Sequence, residues 1–525
     1  MADEHAYERP RYNPWAIALT VTLATFMEVL DTSIANVSLP HIAGNLSASE
    51  EEATWVLTSY LVSNAIILPI SAWISRIIGR KRFYMSCVAL FTISSFLCGL
   101  APSLGVLVML RILQGAGGGG LQPSEQAILA DTFPPAKRGI AFAVYGMAVV
   151  VAPAIGPTLG GWITDNFSWR WIFYINVPIG IISLLLTQRL IEDPPYLKAE
   201  RARGKIRVDY IGLSLLVLAI GSLQIVLDKG QEKDWFSTTW IAVMMVLGVY
   251  AFFVWIVWEW YHPEPIVNIR LFKNRNFATA EFFTFVLGIV LFGTTVVIPQ
   301  FLQLLMGYSA EKSGEALAGG GIAMLLMMPI AGTLVGKIDP RAMMAFGFAA
   351  TAIALYHIVT TLSLQMDFWT AAMLRTYQAA GLAFIFLPST TLAYVGVPRE
   401  NNNQVSAINS FVRNIGGSIG IALMTTMITR QAQKHQVYMS AHTAIGSRNF
   451  DQMAQGLANN LARQGQPFPK QQAYGQIYGL VQGQATTLAY IDVISVLALV
   501  VMCLVPFVLI MRKPPKTSDA PAGMH

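Results

Sequence analysis

Charge is what this chain has least of. Only 12% of its 525 residues are Asp, Glu, Lys or Arg, about half the share in globular domains, which excludes a protein whose whole surface is hydrated. Cysteine is scarce too: Cys87, Cys98 and Cys503 all sit in apolar runs without metal-ligand spacing, so they read as packing residues. The seven histidines form no ligand set, because only His357 falls well within an apolar run and nothing at helical spacing complements it. No metal site or other cofactor is expected. The first apolar run follows Asp3, Glu4 and Glu8 rather than the basic region of a cleaved signal, so it should stay as an anchor. The run Gly115 to Gly120 lies inside an apolar segment, with no preceding strand and no Gly-Lys-Ser/Thr. That excludes a phosphate loop and leaves close helix packing.

What the chain has in excess is hydrophobic length. At 54% hydrophobic and a mean hydropathy of +0.52 it is a polytopic membrane protein. Its net charge of +6 and pI near 9.1 do not indicate nucleic-acid binding, since the basic residues fall in short clusters between apolar runs, as topology signals do. Requiring roughly 20 mainly apolar residues per spanning helix predicts fourteen, at 14–38, 53–75, 82–101, 104–130, 138–163, 169–190, 208–227, 237–260, 277–304, 314–336, 341–362, 368–396, 403–429 and 485–511. Cytoplasmic loops carry the excess of Lys and Arg. Placing the N-terminus inside puts Arg76, Arg80, Lys81 and Arg82 there, together with Lys198, Arg201, Arg203, Lys205 and Arg207, whereas the early outer loops hold few, such as Arg170 and Lys312. Both termini are therefore expected in the cytoplasm.

The spacing parses as six, two and six. A cytoplasmic tail (1–13) precedes a six-helix half (14–190). A cytoplasmic connector (191–207) leads to two additional helices (208–260), a second six-helix half (277–511) and a cytoplasmic tail (512–525). Six-helix halves are how many secondary transporters are built. The second half contains a long outer segment, 430–484, rich in Gln, Asn and Ala. There Phe450, Met453, Leu457 and Leu461 recur at helical spacing, so part of this loop should be an amphipathic helix.

Charges inside a bilayer are costly and mark candidate functional sites. They are Glu28 and Asp31 in span one, Arg111 and Glu125 in span four, Glu281 in span nine, Arg375 in span twelve, Arg413 in span thirteen and Asp492 in span fourteen. Asp31 lies about 25 Å along a span running outward, and Arg111 about 10 Å along one running inward. In a core about 30 Å thick these depths nearly coincide, so the two are expected in contact. A buried carboxylate beside an arginine is suited to carrying a proton when access alternates. Glu28, three residues before Asp31, shares its helix face and could bind a cation or share that proton. Glu125 and Glu281 lie near inner span ends, where snorkelling to water is expected, and Asp492 lies near an outer end. Arg413, beside Gly416, Gly417 and Gly420, should find a carbonyl or a carboxylate.

Span five contains AFAVYGMAVVVAPAIGPTLGGWI, from Ala141 to Ile163, without a charge but with Gly146, Pro153, Gly156, Pro157, Gly160 and Gly161. A soluble helix would not tolerate these breakers, but in a membrane neighbouring helices re-satisfy the freed backbone groups and glycines four apart admit close approach. This stretch resembles the antiporter motif of the fifth helix in the major facilitator superfamily. LDTSIANVSLP (Leu30 to Pro40) and LRILQGAGGG (Leu110 to Gly119) resemble the first- and fourth-helix motifs of its fourteen-span drug:proton antiporters of the EmrB/QacA type. WRWIFYINVPIG (Trp169 to Gly180) and DWFS (Asp234 to Ser237) look like EmrB-type exporters in particular.

The resemblance covers nearly the whole chain. It implies an all-α major facilitator fold in the inner membrane and proton-driven export of hydrophobic toxic compounds, with protons as the coupling ion. Asp31, with Glu28, would carry the proton and Arg111 would tune it. Pro153 to Gly161 would act as a packing hinge. It also implies a periplasmic adaptor of the EmrA kind and an outer-membrane channel of the TolC kind as partners. The loop motif keeps Gly79, Arg80 and Lys81 but places Arg76 where an aspartate is usual, which puts a charge-pair switch through that aspartate in doubt. Glu28 stands where an uncharged residue is expected and favours cationic cargo. A same-fold transporter dedicated to one metabolite, such as a fatty acid or siderophore, is the alternative. An intramembrane enzyme or scaffold would need a nucleophile-base set or metal ligands in the spans, and the sequence offers neither.

Overall fold

The computed structural model describes residues 11–202, 209–335, 337–442 and 448–508. The tails through residue 10 and from residue 509, and connector residues 203–208, lie outside the described residues. Among these residues there is no strand, only an isolated bridge between Val335 and Ile338. The first half comprises α1 (Pro14–Val37), the short α2 (Leu39–Asn45) and α3 (Glu50–Ala53), α4 (Trp55–Ile78), α5 (Arg80–Gly99), α6 (Leu104–Gly118), α7 (Leu121–Thr132), α8 (Arg138–Asn166), the one-turn α9 (Trp171–Tyr174) and α10 (Asn176–Leu190). Next come α11 (Pro195–Ala202), α12 (Tyr210–Lys229) and α13 (Thr239–Tyr261). The second half holds α14 (Arg275–Leu304), α15 (Ala310–Leu334), α16 (Pro340–Thr361), α17 (Phe368–Ala393), α18 (Asn402–His442), α19 (Arg448–Arg463) and α20 (Pro469–Phe507).

Polar residues start the long helices by accepting from orphan backbone N–H groups. Asn13 caps α1 ahead of Pro14, Asp209 caps α12, Asn274 caps α14, Ser309 caps α15 and Asp367 caps α17. Gly79 separates α4 from α5 at φ +96°, a left-handed backbone that a side chain would strain. Among the described residues, thirteen helical segments are long and apolar enough to cross a membrane, α6 with α7 and α9 with α10 each counting as one. The remaining long helix, α17, spans 26 residues and includes Arg375 and Gln378. It packs among α14, α15 and α16, so it faces protein and can do without lipid-like apolarity.

One expectation changes. Span four is a single crossing, Leu104–Thr132, as expected, built from α6 and α7 with a turn at Gly119 and Gly120, where a Cβ would run into Asn64 and Cys87. The 430–484 segment holds the expected amphipathic helix as α19, and more of it is helical than expected, because α18 and α20 extend into it. A 41-residue α18 and a 39-residue α20, each about 60 Å long, greatly exceed a hydrocarbon core of about 30 Å. Their extensions are tied together by His435 Nε2, 2.7 Å from Asp492 Oδ2, and by Gln436 donating to Tyr478 at 3.2 Å. The amphipathic α19 folds back on α20 through Leu461, Ala458 and Ala473, with Phe450 stacked on Tyr474. Met453 is 47% exposed and turns away from that seam.

The halves meet mainly where α8 packs along α15 and where α18 crosses α4 and α7. Pro157 has no N–H, so the carbonyl of Pro153 loses its helical donor; the Ser33 hydroxyl of α1 fills the gap at 3.2 Å. A Cβ at Gly156 would overlap Ser33, and one at Gly160 would lie 3.2 Å from the Ile34 backbone. Gly146 faces the other half, where a Cβ would come within 2.8 Å of Met328. Gly161 departs from the packing expectation: its nearest neighbour would be 4.0 Å away, so its role is not close contact.

Candidate functional site

The expected contact between span one and span four is present. Arg111 Nη1 lies 2.5 Å from Asp31 Oδ2, with both side chains almost fully buried. The cage around the pair comes from residues the sequence reading passed over. Gln114 donates to Asp31 Oδ1 at 2.9 Å and accepts from Arg111 at 2.8 Å, while Asn176 of α10 donates to the same Oδ1 at 2.7 Å. Arg111 Nε reaches the Val56 carbonyl at 3.1 Å, and its guanidinium lies 4.3 Å from the Tyr60 ring centroid. Every oxygen of Asp31 is therefore held by a donor, as burial of a charge requires.

Glu28 has a different environment. It is 4% exposed and accepts from Gln122 at 2.8 Å, Asn64 at 3.1 Å and Tyr60 at 3.4 Å. All three donors are neutral. Among the described residues no cation lies within ion-pair distance of it. Gln122 also accepts from Arg413 of α18 at 2.8 Å and from the Tyr145 hydroxyl at 3.2 Å. Arg413 donates to Tyr145 as well, and Gln126 links Tyr145 to Ser410, both at 2.9 Å. Arg413 thus takes a side-chain carbonyl rather than a carboxylate. Through it a continuous polar chain runs from Glu28 in one half to α18 in the other.

The snorkelling expected of Glu125 and Glu281 does not occur. Glu125 is fully buried and accepts from Thr22 at 2.5 Å, while Glu281, 1% exposed, accepts from Asn409 at 3.2 Å. Both turn inward because the neighbouring helices, not lipid headgroups, supply their hydrogen bonds.

Where α5 begins, beside the end of α7, Arg80 lies 2.6 Å from Asp131 Oδ2 and donates to the Tyr196 hydroxyl at 2.6 Å. The carboxylate that position 76 lacks is thus supplied to Arg80 by the end of α7. Burial holds the Tyr196 phenol well above its usual range, so it stays protonated and donates to Asp131 at 2.8 Å. Asn402 of the second half donates to the other oxygen of Asp131 at 2.6 Å. Lys81 closes on the connector, its backbone N–H on Asp193 at 2.8 Å and its ammonium on the Gln188 carbonyl at 2.6 Å.

Buried charges caged within a bundle of long apolar helices, with a polar chain that reaches Arg413 of α18, suit a membrane transporter. The match to known proteins agrees, since residues 21–421 fit the family model described as Major Facilitator Superfamily. The multidrug export protein EmrB of Escherichia coli (strain K12) is 37% identical over 509 residues, covering 97% of each chain. The fatty acid resistance protein FarB of Neisseria gonorrhoeae is 37% identical, covering 86% of this chain and 88% of FarB. The proton:xylose symporter XylE superimposes with a TM-score of 0.58 at 16% identity over 94% of this chain and 96% of XylE, which speaks for the fold. The chain belongs to the major facilitator superfamily, and is a multi-pass secondary transporter of the inner membrane.

Proposed function

We propose that this protein is a proton-driven exporter of hydrophobic toxic compounds, with Glu28 and the Asp31–Arg111 pair as its coupling groups. The observation that carries the reading is Glu28: a buried carboxylate, one turn from a caged ion pair, held by neutral donors alone. A proton arriving there alters the bond to Gln122, and Gln122 is shared with Arg413 across the halves. Binding of a proton on one side is thereby linked to the contact that rocking the halves must break. The extensive identity to EmrB, whose name describes multidrug export, supports drug efflux. The relation to FarB, named for fatty acid resistance, keeps a transporter dedicated to one amphiphile as the second reading.

In this reading α17 is the fourteenth span, both termini are cytoplasmic, and 14–190 and 277–511 are the moving halves. The α8 motif from Gly146 to Gly161 is the hinge surface between them. The extension built from α18, α19 and α20 stands on the outer side as the dock for an EmrA-like adaptor that leads to a TolC-like channel.

A susceptibility panel in a pump-deficient host tests this, with wild type beside Asp31→Asn, Glu28→Gln and Arg111→Ala. Protection against several unrelated hydrophobic compounds, lost in Asp31→Asn and Glu28→Gln, is the expected result. Protection that persists in both carboxylate variants, or protection against nothing, overturns it.

A further inference from the structure

The second half repeats the Arg111 cage, with one change. On the fourth span of the first half, Arg111 Nη1 donates to Gln114 three residues on, at 2.8 Å, and Gln114 donates to Asp31 of the first span at 2.9 Å. On the fourth span of the second half, Arg375 Nη1 donates to Gln378 three residues on, at 2.7 Å, and Gln378 donates to Thr294 of the first span at 2.8 Å. Each arginine also donates directly to the same first-span residue, Arg111 to Asp31 at 2.5 Å and Arg375 to Thr294 at 2.9 Å. The sequences agree as well: Leu110-Arg111 with Gln114, and Leu374-Arg375 with Gln378. Where the first cage holds a carboxylate, the second holds a hydroxyl.

Arg375 is therefore a buried guanidinium, 6% exposed, with no carboxylate in ion-pair distance among the described residues. Its protein partners are the hydroxyls of Thr294 and Thr295 and the amide oxygen of Gln378, and its Nε makes no hydrogen bond among the described residues. Gly320 makes room for it, since a Cβ there would lie 2.9 Å from Arg375 Cγ. The guanidinium borders a crevice of about 10 Å³ lined by Val150 and Pro153 from α8 and by Leu291, Phe292, Thr295 and Leu317 from the second half. That volume holds one water at most. Because its walls come from both halves, rocking them apart enlarges it. An unneutralised guanidinium in an apolar setting is expensive, and a planar carboxylate is the ligand its fork fits best.

We infer that the Arg375–Gln378–Thr294 cage is an anion site between the halves, which takes the carboxylate or phenolate of an amphiphile whose apolar body lies against the α8 and α14 walls. That this anion is cargo rests on the export reading above; that it binds there does not. The site is distinct from the Glu28 region, so carrying a proton and holding an anion fall to opposite halves.

The test uses the full chain in lipid nanodiscs, with empty discs subtracted, and three probes sharing one apolar body: pyrenebutyrate, its neutral amide and the matching pyrenylbutyl trimethylammonium. Wild type should bind the carboxylate about tenfold or more tighter than the amide, the preference one charge-assisted contact supplies. Arg375→Gln should bring that ratio to within about twofold. Thr294→Asp, which installs internally the carboxylate of the first cage, should do the same, whereas Thr294→Asn, of equal size and no charge, should keep the preference. Elution as a single species on gel filtration confirms that each variant is folded. A wild-type ratio near one, a preference that survives Arg375→Gln, or its loss in Thr294→Asn as in Thr294→Asp overturns the anion site. Efflux of a cationic dye from vesicles under a pH gradient separates the two claims. Dye export without carboxylate preference removes only the anion site, and carboxylate preference without export of any compound removes only the exporter reading.

Discussion

Neutralising Arg111 alone should destabilise the protein far more than neutralising it together with Asp31. In Arg111→Met the Asp31 carboxylate keeps Gln114 and Asn176 as donors at 2.9 and 2.7 Å but loses its only cation in a site that water does not reach. Leaving one buried charge without its partner costs about 3–5 kcal/mol, while replacing both members by neutral groups of similar size is close to neutral. Asp31→Asn/Arg111→Met should therefore recover about 2–4 kcal/mol relative to Arg111→Met. Equilibrium unfolding of the purified protein in mixed detergent micelles, by tryptophan fluorescence, reads that difference, and Asp31→Asn alone completes the cycle that gives the coupling energy. Proton-driven export, assayed in parallel in vesicles, should be absent from all three variants. If the double variant is no more stable than Arg111→Met, the pair is not what fixes the charge and the electrostatic argument fails. If the double variant regains export together with stability, the pair is only structural and Asp31 does not couple to protons.

Three further outcomes follow from contacts already described. Gly156→Ala should sharply reduce expression-normalised export, because the new methyl overlaps Ser33, whereas Gly161→Ala should stay within about 0.5 kcal/mol of wild type in the same unfolding assay, as at other uncrowded positions; equal effects would refute the packing assignment. Asp131→Asn leaves Arg80 buried without a charged partner and weakens the Asn402 contact between the halves, so uncoupled proton entry into vesicles should rise, and no change in leak would argue against an inner latch. Replacing residues 443–468 by a short linker removes α19 but keeps α18 and α20, so the protein should still fold and export small dyes from vesicles while losing co-purification with a periplasmic adaptor; retained co-purification would move the dock elsewhere.

Much of this could be read from the chain. Among the described residues thirteen candidate spans, α17 not among them, follow from apolar length, because a bilayer forbids unsatisfied backbone and thus forces helices of a set length. The Asp31–Arg111 contact was legible because rise per residue converts position into depth. The repeated Leu-Arg and Gln at 110–114 and 374–378 was also in plain sight, but its meaning depends on Thr294 standing where Asp31 stands, each of them eighty or more positions before its own arginine. Glu125 and Glu281 were misjudged because distance from a span end says nothing of which way a side chain turns. The extent of helix in the 430–484 segment, beyond the expected α19, was missed because Gln- and Ala-rich sequence is helix-competent without being apolar, and hydropathy sees only the latter.

The sequence by itself thus determined which segments are apolar enough to cross a membrane, which face carries Glu28 and Asp31, and that α8 must be packed closely enough to shelter two prolines. Only the tertiary structure decided which buried charges are neutralised. Burial sets the cost of a charge locally, but its compensation comes from helices far away in the chain: Gln122, Asn64 and Tyr60 around Glu28, Asp131 around Arg80, and, at Arg375, hydroxyls where a carboxylate would have closed the site.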